Sequence, residues 1–301
     1  MLEPELIILI VSIALALAYA YANGMNDAAN AVATVISTRA LTPVTAIIMG
    51  ATLNFGGAMM GTAVAKTIGK GIVNPDLMTQ YAVLSAIAAS VIWVFFATRL
   101  GLPVSVSHSL IAAVVGSGVA VAGWDGLNTA VVVKVLLALA LSPLLGFVGG
   151  FLLMILLFWV LRRRAPAAVN ATGNKLQIIS AAFLSFSHGR NDGQNAMGII
   201  ALAWVVYQTH RLGTPQELEI TSWMIVLASI TIGLGTGLGG WKVIRTLGMR
   251  VTRLEPIHGF AANTTAVAVI EAATSFGMPV STTHTSASTI MGVGATRRFS
   301  A

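Results

Sequence analysis

Two aspartates stand within apolar stretches, each with the same polar neighbours. Residues 24–34 read GMNDAANAVAT and residues 189–199 read GRNDGQNAMGI. Gly24, Asn26, Asp27, Asn30 and Ala31 recur as Gly189, Asn191, Asp192, Asn195 and Ala196. An aspartate at the centre of a lipid-embedded helix costs about 2.5–3.5 kcal/mol, so Asp27 and Asp192 call for a cation, a proton or hydrogen-bond donors. The flanking Gly and Asn residues would permit local unwinding that frees carbonyl oxygens. Carboxylates, Asn amides and freed carbonyls form a hard oxygen set suited to Na⁺, H⁺ or Mg²⁺. Asn26, Asp27, Asn191 and Asp192 are therefore the candidate cation-coupling residues, with Asp27 and Asp192 as ligands if the cation is Na⁺. The competing reading is a surface turn, which Asn, Asp and Gly also favour; the recurrence and the apolar flanks weigh against it.

A second phrase recurs in the same order, GLPVSVSH at 101–108 and GMPVSTTH at 277–284. Proline suits the first turn of a helix. Ser105, Ser107 and Ser109, with Ser281, Thr282, Thr283 and Thr285, then place hydroxyls beside free backbone N–H groups, an arrangement that attracts anions. Plain N-capping is the alternative. His108, His284 and His188 are candidates either for proton transfer, given an ordinary pKa of about 6.5, or for structural hydrogen bonding. Arg190 replaces Met25 and either pairs with Asp192 or meets an anion. Glu271, late in an apolar run, is assigned to a place near the headgroups, with a coupling role as the alternative. Carboxylates repel an anion and hydroxylated helix ends attract one, so a site holding both suits an anion moved together with a cation or proton.

The elements that must position these groups are membrane helices. Of 301 residues, 56% are hydrophobic and 9% charged, against about 25% charged in soluble domains; mean hydropathy is +0.86. Apolar runs lie near 6–38, 43–65, 80–98, 104–122, 130–160, 176–208, 221–241, 259–275 and 281–295. The expectation is an all-α integral membrane protein of about nine to ten segments, with broken or re-entrant helices where the polar motifs interrupt a run or the run is short. The N-terminal run lacks a basic leader, so residues 6–22 read as a retained span. The polar stretch LRRRAPAAVNATGNK (161–175) reads as a cytoplasmic linker between a first repeat (1–160) and a second (176–301). GTGLGG at 235–240 sits in an apolar run, where small residues serve close helix packing.

Orientation follows from the basic residues. With the N-terminus outside, twelve fall inside (Arg39, Arg99, Arg162, Arg163, Arg164, Lys175, Lys242, Arg245, Arg250, Arg253, Arg297, Arg298), three outside (Lys66, Lys70, Arg211) and two, Lys134 and Arg190, within segments. The C-terminus is then cytoplasmic. An odd number of crossings separates the two halves, so the second enters the membrane inverted, with one midplane site between them. The +7 net charge is explained by these loops and does not point to nucleic acid. There is no Cys, no HExxH and no GxSxG, which removes the common hydrolase schemes. A transporter is expected rather than an enzyme; an anion channel is the weaker alternative.

These residues resemble the inorganic phosphate transporter family, whose members carry GxNDxxNA in each half and a PVSTTH phrase in the second half, echoed in the first. HGRNDGQNAMGII is most similar to the low-affinity bacterial branch. The resemblance covers roughly residues 20–300. It implies symport of inorganic phosphate with H⁺ or Na⁺ across the cell (plasma or inner) membrane, no cofactor, inverted repeats and a homo-oligomer, a dimer being favoured. By the motif match, Asn26, Asp27, Asn30, Asn191, Asp192 and Asn195 would line the ion and phosphate site. Ser105, Ser107, Ser281, Thr282 and Thr283 would face phosphate, with Asn30 and Asn195. Many sodium-coupled relatives carry glutamates where this chain has Asn54 and Asn263, which tilts the expectation toward protons. Sulfate or another oxyanion on the same fold is the alternative substrate.

Overall fold

Proline and hydroxyl residues mark where the helices start. The computed structural model describes residues 3–102, 104–239 and 254–296, the side chain of Ala31 excepted. Helix α1 (Pro4–Ser37) and α7 (Pro166–Leu212) begin on a first-turn proline. So does α2 (Pro43–Ala58), where the Thr42 hydroxyl also accepts from the Thr45 N–H at 3.3 Å. Thr79 caps α4 (Gln80–Leu100), Ser105 caps α5 (Val106–Ala122) and Asn128 caps α6 (Thr129–Leu161) in the same way. Helices α8 (Ser222–Leu238), α9 (Pro256–Ser275) and α10 (Thr282–Ala295) complete the described set, with a short α3 (Ala63–Lys66) running into a π turn at Thr67–Gly71.

Helices α1, α4 and α6 contain stretches long and apolar enough to cross a membrane, and α2 with α3 and the π turn forms a fourth if the 63° bend between them lies within one span. Helices α5 and α8 are shorter apolar helices. Large side chains such as Trp93, Phe96, Leu137 and Leu145 are exposed, as befits surfaces that meet lipid.

The packing interleaves the two halves. Helix α1 lies against α8, and α7 against α2. Gly24 of α1 faces the Thr236 backbone, where an added Cβ would stand 2.7 Å from its nitrogen, and Gly235 of α8 faces the Tyr21 backbone. The equivalent contacts in the other pair are Gly189 of α7 on Asn54 and Gly57 of α2 on Phe186. Gly235 thus performs the close packing read from GTGLGG; Gly240 of that motif lies outside the described residues.

This packing corrects one expectation. The Asp motifs do not unwind their helices: α1 and α7 run unbroken through both. Their glycines admit a neighbouring backbone, and the ladder carbonyls stay paired within the helix. Among the described residues, a sharply bent break lies instead at residues 59–62, between α2 and α3. The polar stretch 161–175 is also more helical than its composition suggests. Only residues 162–165 separate α6 from α7, because Pro166 starts a new helix at once. Pro103, and Lys242, Arg245, Arg250, Arg253, Arg297 and Arg298 of the charge count, lie outside the described residues.

Candidate functional site

Asp27 and Asp192 converge. Asp27 comes from the C-terminal third of α1 and Asp192 from the middle of α7, and each is about 1% exposed. His188, one turn before Asp192, stands between them: Nε2 is 3.0 Å from Asp192 Oδ2 and 3.4 Å from Asp27 Oδ2. The three side chains offer ligand atoms within 4.8 Å of one another. Asp192 is not paired with Arg190, whose guanidinium reaches Glu271 instead at the edge of the bundle.

The hydroxyls of the second phrase reach this centre from the first turns of α5 and α10. Thr283 Oγ1 donates to Asp27 Oδ1 at 2.7 Å. Thr282 Oγ1 lies 2.7 Å from Asp192 Oδ2 and 3.3 Å from Asp27 Oδ2. Ser107 Oγ donates to Asp192 Oδ1 at 3.2 Å. A hydroxyl has one hydrogen, so Thr282 serves Asp192, the nearer carboxylate. Asp27 Oδ2 keeps only the longer contacts and is the least satisfied of the four carboxylate oxygens.

The other hydroxyls are occupied elsewhere. Ser105 and Ser281 are N-caps, accepting from the His108 and His284 N–H groups at 3.2 and 3.1 Å. Ser109 donates to Val106 O and Thr285 to Ser281 O, within their own helices. The capping alternative thus accounts for Ser105 and Ser281, while Ser107, Thr282 and Thr283 face the carboxylates. His108 and His284 do not touch the aspartates. Their rings lie 5.1 Å apart, beside the two helix starts, and His108 Nδ1 meets the Ser105 hydroxyl.

The asparagines bond within each half and between the halves at constant offsets. Asn26 Nδ2 donates to Thr98 Oγ1 (2.9 Å) and Leu102 O (3.2 Å). Asn191 Nδ2 donates to Thr274 Oγ1 (2.8 Å) and Met278 O (3.2 Å). Asn30 donates across to Thr283 at 3.1 Å, and Asn195 across to Ser107 at 2.9 Å. Each pair relates residues 165 apart in the first phrase and 176 apart in the second, as the motifs are spaced in the sequence. Both helices preceding the second phrase end at a left-handed glycine, Gly101 (φ 73°) and Gly277 (φ 66°).

Thr98 and Thr274 were missed, although the signal is present: the repeated phrase extends upstream as TxxGxPVSxxH in both halves. The role of Asn54 was also missed. Its Oδ1 faces His188 Nδ1 at 3.0 Å, while its Nδ2 donates to Thr236 Oγ1, which donates to Ile232 O. Asn263 Oδ1 accepts from Thr34 Oγ1 at 3.1 Å. Around the carboxylates, the side-chain oxygens of Asn23, Asn26, Asn30 and Asn195 are buried without a donor. Such orphan oxygens are uncommon in a folded interior and give the site the hard acceptors a cation takes.

The comparisons agree with this architecture. The model of the phosphate transporter family matches residues 23–301. The chain is 41% identical over 295 residues to a probable low-affinity inorganic phosphate transporter of Bacillus subtilis, covering 97% of this chain and 87% of that one. It is 39% identical over 280 residues to one of Rhizobium meliloti, covering 93% and 83%. Among solved structures it superimposes with TM-score 0.86 and 28% identity on a sodium-dependent phosphate transporter, covering 97% of this chain and 90% of that one. A helical membrane architecture, a family signature over nearly the whole length and relatives that are transporters rather than enzymes together establish that the chain belongs to the phosphate transporter family.

Proposed function

We propose that the protein is a symporter that moves inorganic phosphate with a cation through a midplane site between two inverted repeats, residues 1–160 and 176–301. The observation that carries this reading is that the two aspartates, one from each half, accept from hydroxyls at the starts of α5 and α10. The anion donors and the cation acceptors are thus bonded to one another. While Asp27 and Asp192 are ionised, the charge-assisted bonds hold Ser107, Thr282 and Thr283 toward them. A cation or proton on the carboxylates weakens that hold and releases the hydroxyls, with the N–H groups of two helix starts, to bind phosphate. Phosphate then binds well only after the cation, and alternating access carries both.

The hydrogen-bond directions favour H⁺ as the coupling ion. Thr236 donates to Ile232 O, so it accepts from Asn54 Nδ2. Asn54 Oδ1 then accepts from His188 Nδ1–H. With that proton on Nδ1, Nε2 can approach two carboxylates only if a further proton lies between them. The neutral Asn54 and Asn263 point the same way. The orphan oxygens of Asn23, Asn26, Asn30 and Asn195 support a second reading, in which Na⁺ binds at Asp27 and Asp192. Orientation with the N-terminus outside and the C-terminus cytoplasmic, in the cell membrane, completes the proposal.

Uptake of radiolabelled phosphate into proteoliposomes, under an imposed pH gradient with and without Na⁺, tests it. Saturable uptake driven by the pH gradient alone is expected. Uptake that requires Na⁺ and ignores the pH gradient would replace the proton with sodium. Sulfate outcompeting phosphate at equal concentration would change the substrate, and ohmic current would indicate a channel.

A further inference from the structure

A furrow opens between α6 and α9 on the outside of the bundle. At one end the two helices touch, since a Cβ on Gly149 would stand 2.8 Å from the Thr265 methyl. Pro143 removes one bond of the α6 ladder about 9 Å along the helix from Gly149. Toward the N-terminal end of α6 the helices leave a cavity of about 820 Å³. Its walls are chiefly aliphatic and aromatic, with Leu137, Leu141 and Leu145 on one side and Val269 and Phe276 on the other. Along α9 the wall runs from Thr265 to Phe276, about 17 Å at 1.5 Å per residue. One leaflet of a hydrocarbon core about 30 Å thick has a similar depth.

Where the furrow ends, a second cavity of about 320 Å³ begins, sharing Lys134 and Met278 with the first. Lys66 and Lys70 join Lys134 there. All three lysines are exposed. Among the described residues none of them forms an ion pair, and no Asp or Glu lines this cavity.

We infer that the lysine cavity and the furrow together bind one anionic phospholipid, its headgroup phosphate held by Lys66, Lys70 and Lys134 and an acyl chain laid between α6 and α9. Charge complementarity selects the occupant: three ammonium groups without a counter-charge match a headgroup whose phosphodiester charge no headgroup cation offsets, and the apolar furrow continues from them into the bilayer. Free phosphate would answer the lysines and leave the furrow without an occupant. A symmetric second copy would bring the same lysines and no acid. The site also bears on the centre. Thr67 Oγ1, between Lys66 and Lys70 in the chain, donates to Gly277 O at 2.7 Å, and Gly277 begins the segment that leads into Thr282 and Thr283. A bound headgroup would steady that segment.

The test is native mass spectrometry and thermal unfolding of the purified full chain, titrated with phosphatidylglycerol, phosphatidylcholine of the same acyl chains, or inorganic phosphate. Phosphatidylglycerol should bind about 100-fold more tightly than phosphatidylcholine, from three lysines acting on one anionic headgroup. The triple variant Lys66→Gln, Lys70→Gln, Lys134→Gln should shrink that preference to within about threefold and unfold at the wild-type temperature in phosphatidylcholine. Leu137→Trp, which fills the furrow, should weaken phosphatidylglycerol binding with all three lysines in place. Equal binding of the two lipids, or a preference intact in the triple variant, would overturn the inference. So would inorganic phosphate displacing phosphatidylglycerol equally from wild type and Leu137→Trp, which would mark a free-anion site. A Leu137→Trp variant that dissociates an oligomer without altering lipid binding would assign the furrow to a second copy.

Discussion

Thr282 is where the two halves of the proposed mechanism meet, and replacing it tests that mechanism most sharply. Its hydroxyl is 2.7 Å from Asp192 and 3.3 Å from Asp27, and the residue is 2% exposed. Thr282→Val keeps the branched shape and removes the donor. A hydrogen bond to a charged group contributes about 1.5–3 kcal/mol, and water is not at hand to replace it. Asp192 Oδ2 would retain His188 at 3.0 Å, so the carboxylate is weakened rather than stranded. Stability should fall by about 1.5–3 kcal/mol. If the same hydroxyl serves phosphate once the carboxylates are neutralised, transport loses a similar amount at the binding step, which corresponds to about 10- to 150-fold in kcat/KM. Thr282→Ser restores the donor and should lie within about threefold of wild type. The assay is initial phosphate uptake into proteoliposomes over a range of phosphate concentrations, paired with thermal unfolding of the same preparations. Thr282→Val transporting within threefold of wild type would refute the shared-hydroxyl mechanism, even if its stability fell as expected.

Other outcomes follow from the same geometry. Asp27→Asn and Asp192→Asn should each abolish uptake while the protein still folds, because an amide can accept from the hydroxyls but carries no negative charge for a proton or cation to neutralise; normal uptake by both would remove the aspartates from the mechanism. Asn26→Ala and Asn191→Ala each lose two donated hydrogen bonds of matching geometry, and Asn191→Ala also loses the Val280 N–H bond to its Oδ1 at 3.3 Å, so they should cost about 2 and about 3 kcal/mol respectively in unfolding measurements; a difference above about 2 kcal/mol would deny the equivalence of the halves. Gly189→Ala drives a methyl into the Asn54 backbone and should destabilise by about 1–3 kcal/mol or more, with no loss if α2 and α7 pack otherwise. Arg190→Gln removes an ion pair whose members are 32% and 27% exposed; screening should hold the stability loss to about 1 kcal/mol, and a much larger loss in denaturant titration would place the pair in a drier setting.

Particular residues show how far the chain could be read in advance. The motif offsets of 165 and 176 were visible as spacing, and they reappear as the offsets between equivalent hydrogen bonds, because a duplicated unit repeats its contacts along with its residue types. Asp27 with Thr283, and Asp192 with Ser107, were each singled out by type. Which hydroxyl caps a helix and which faces a carboxylate was not legible. Ser105 and Ser107 are two positions apart, and only the start of α5 at Val106 decides that the first turns inward to cap while the second projects into the centre. Gly24 and Gly189 were read as permitting unwinding, but a glycine also permits the close approach of a neighbouring backbone. The backbones of α8 and α2 choose the second, and those neighbours are far away in the chain.

Sequence alone determined the helical membrane class, the recurrence of the motifs and the residue types of the candidate site, since these depend on composition, hydropathy and spacing along one chain. Tertiary structure decided the rest. It paired Arg190 with Glu271 and left His188, not Arg190, between Asp27 and Asp192. It also joined the hydroxyls to the carboxylates that the motifs hold apart. The physical reason is that burial without water leaves each polar group to find its partner across the bundle, and which groups face one another depends on how helices from the two halves cross.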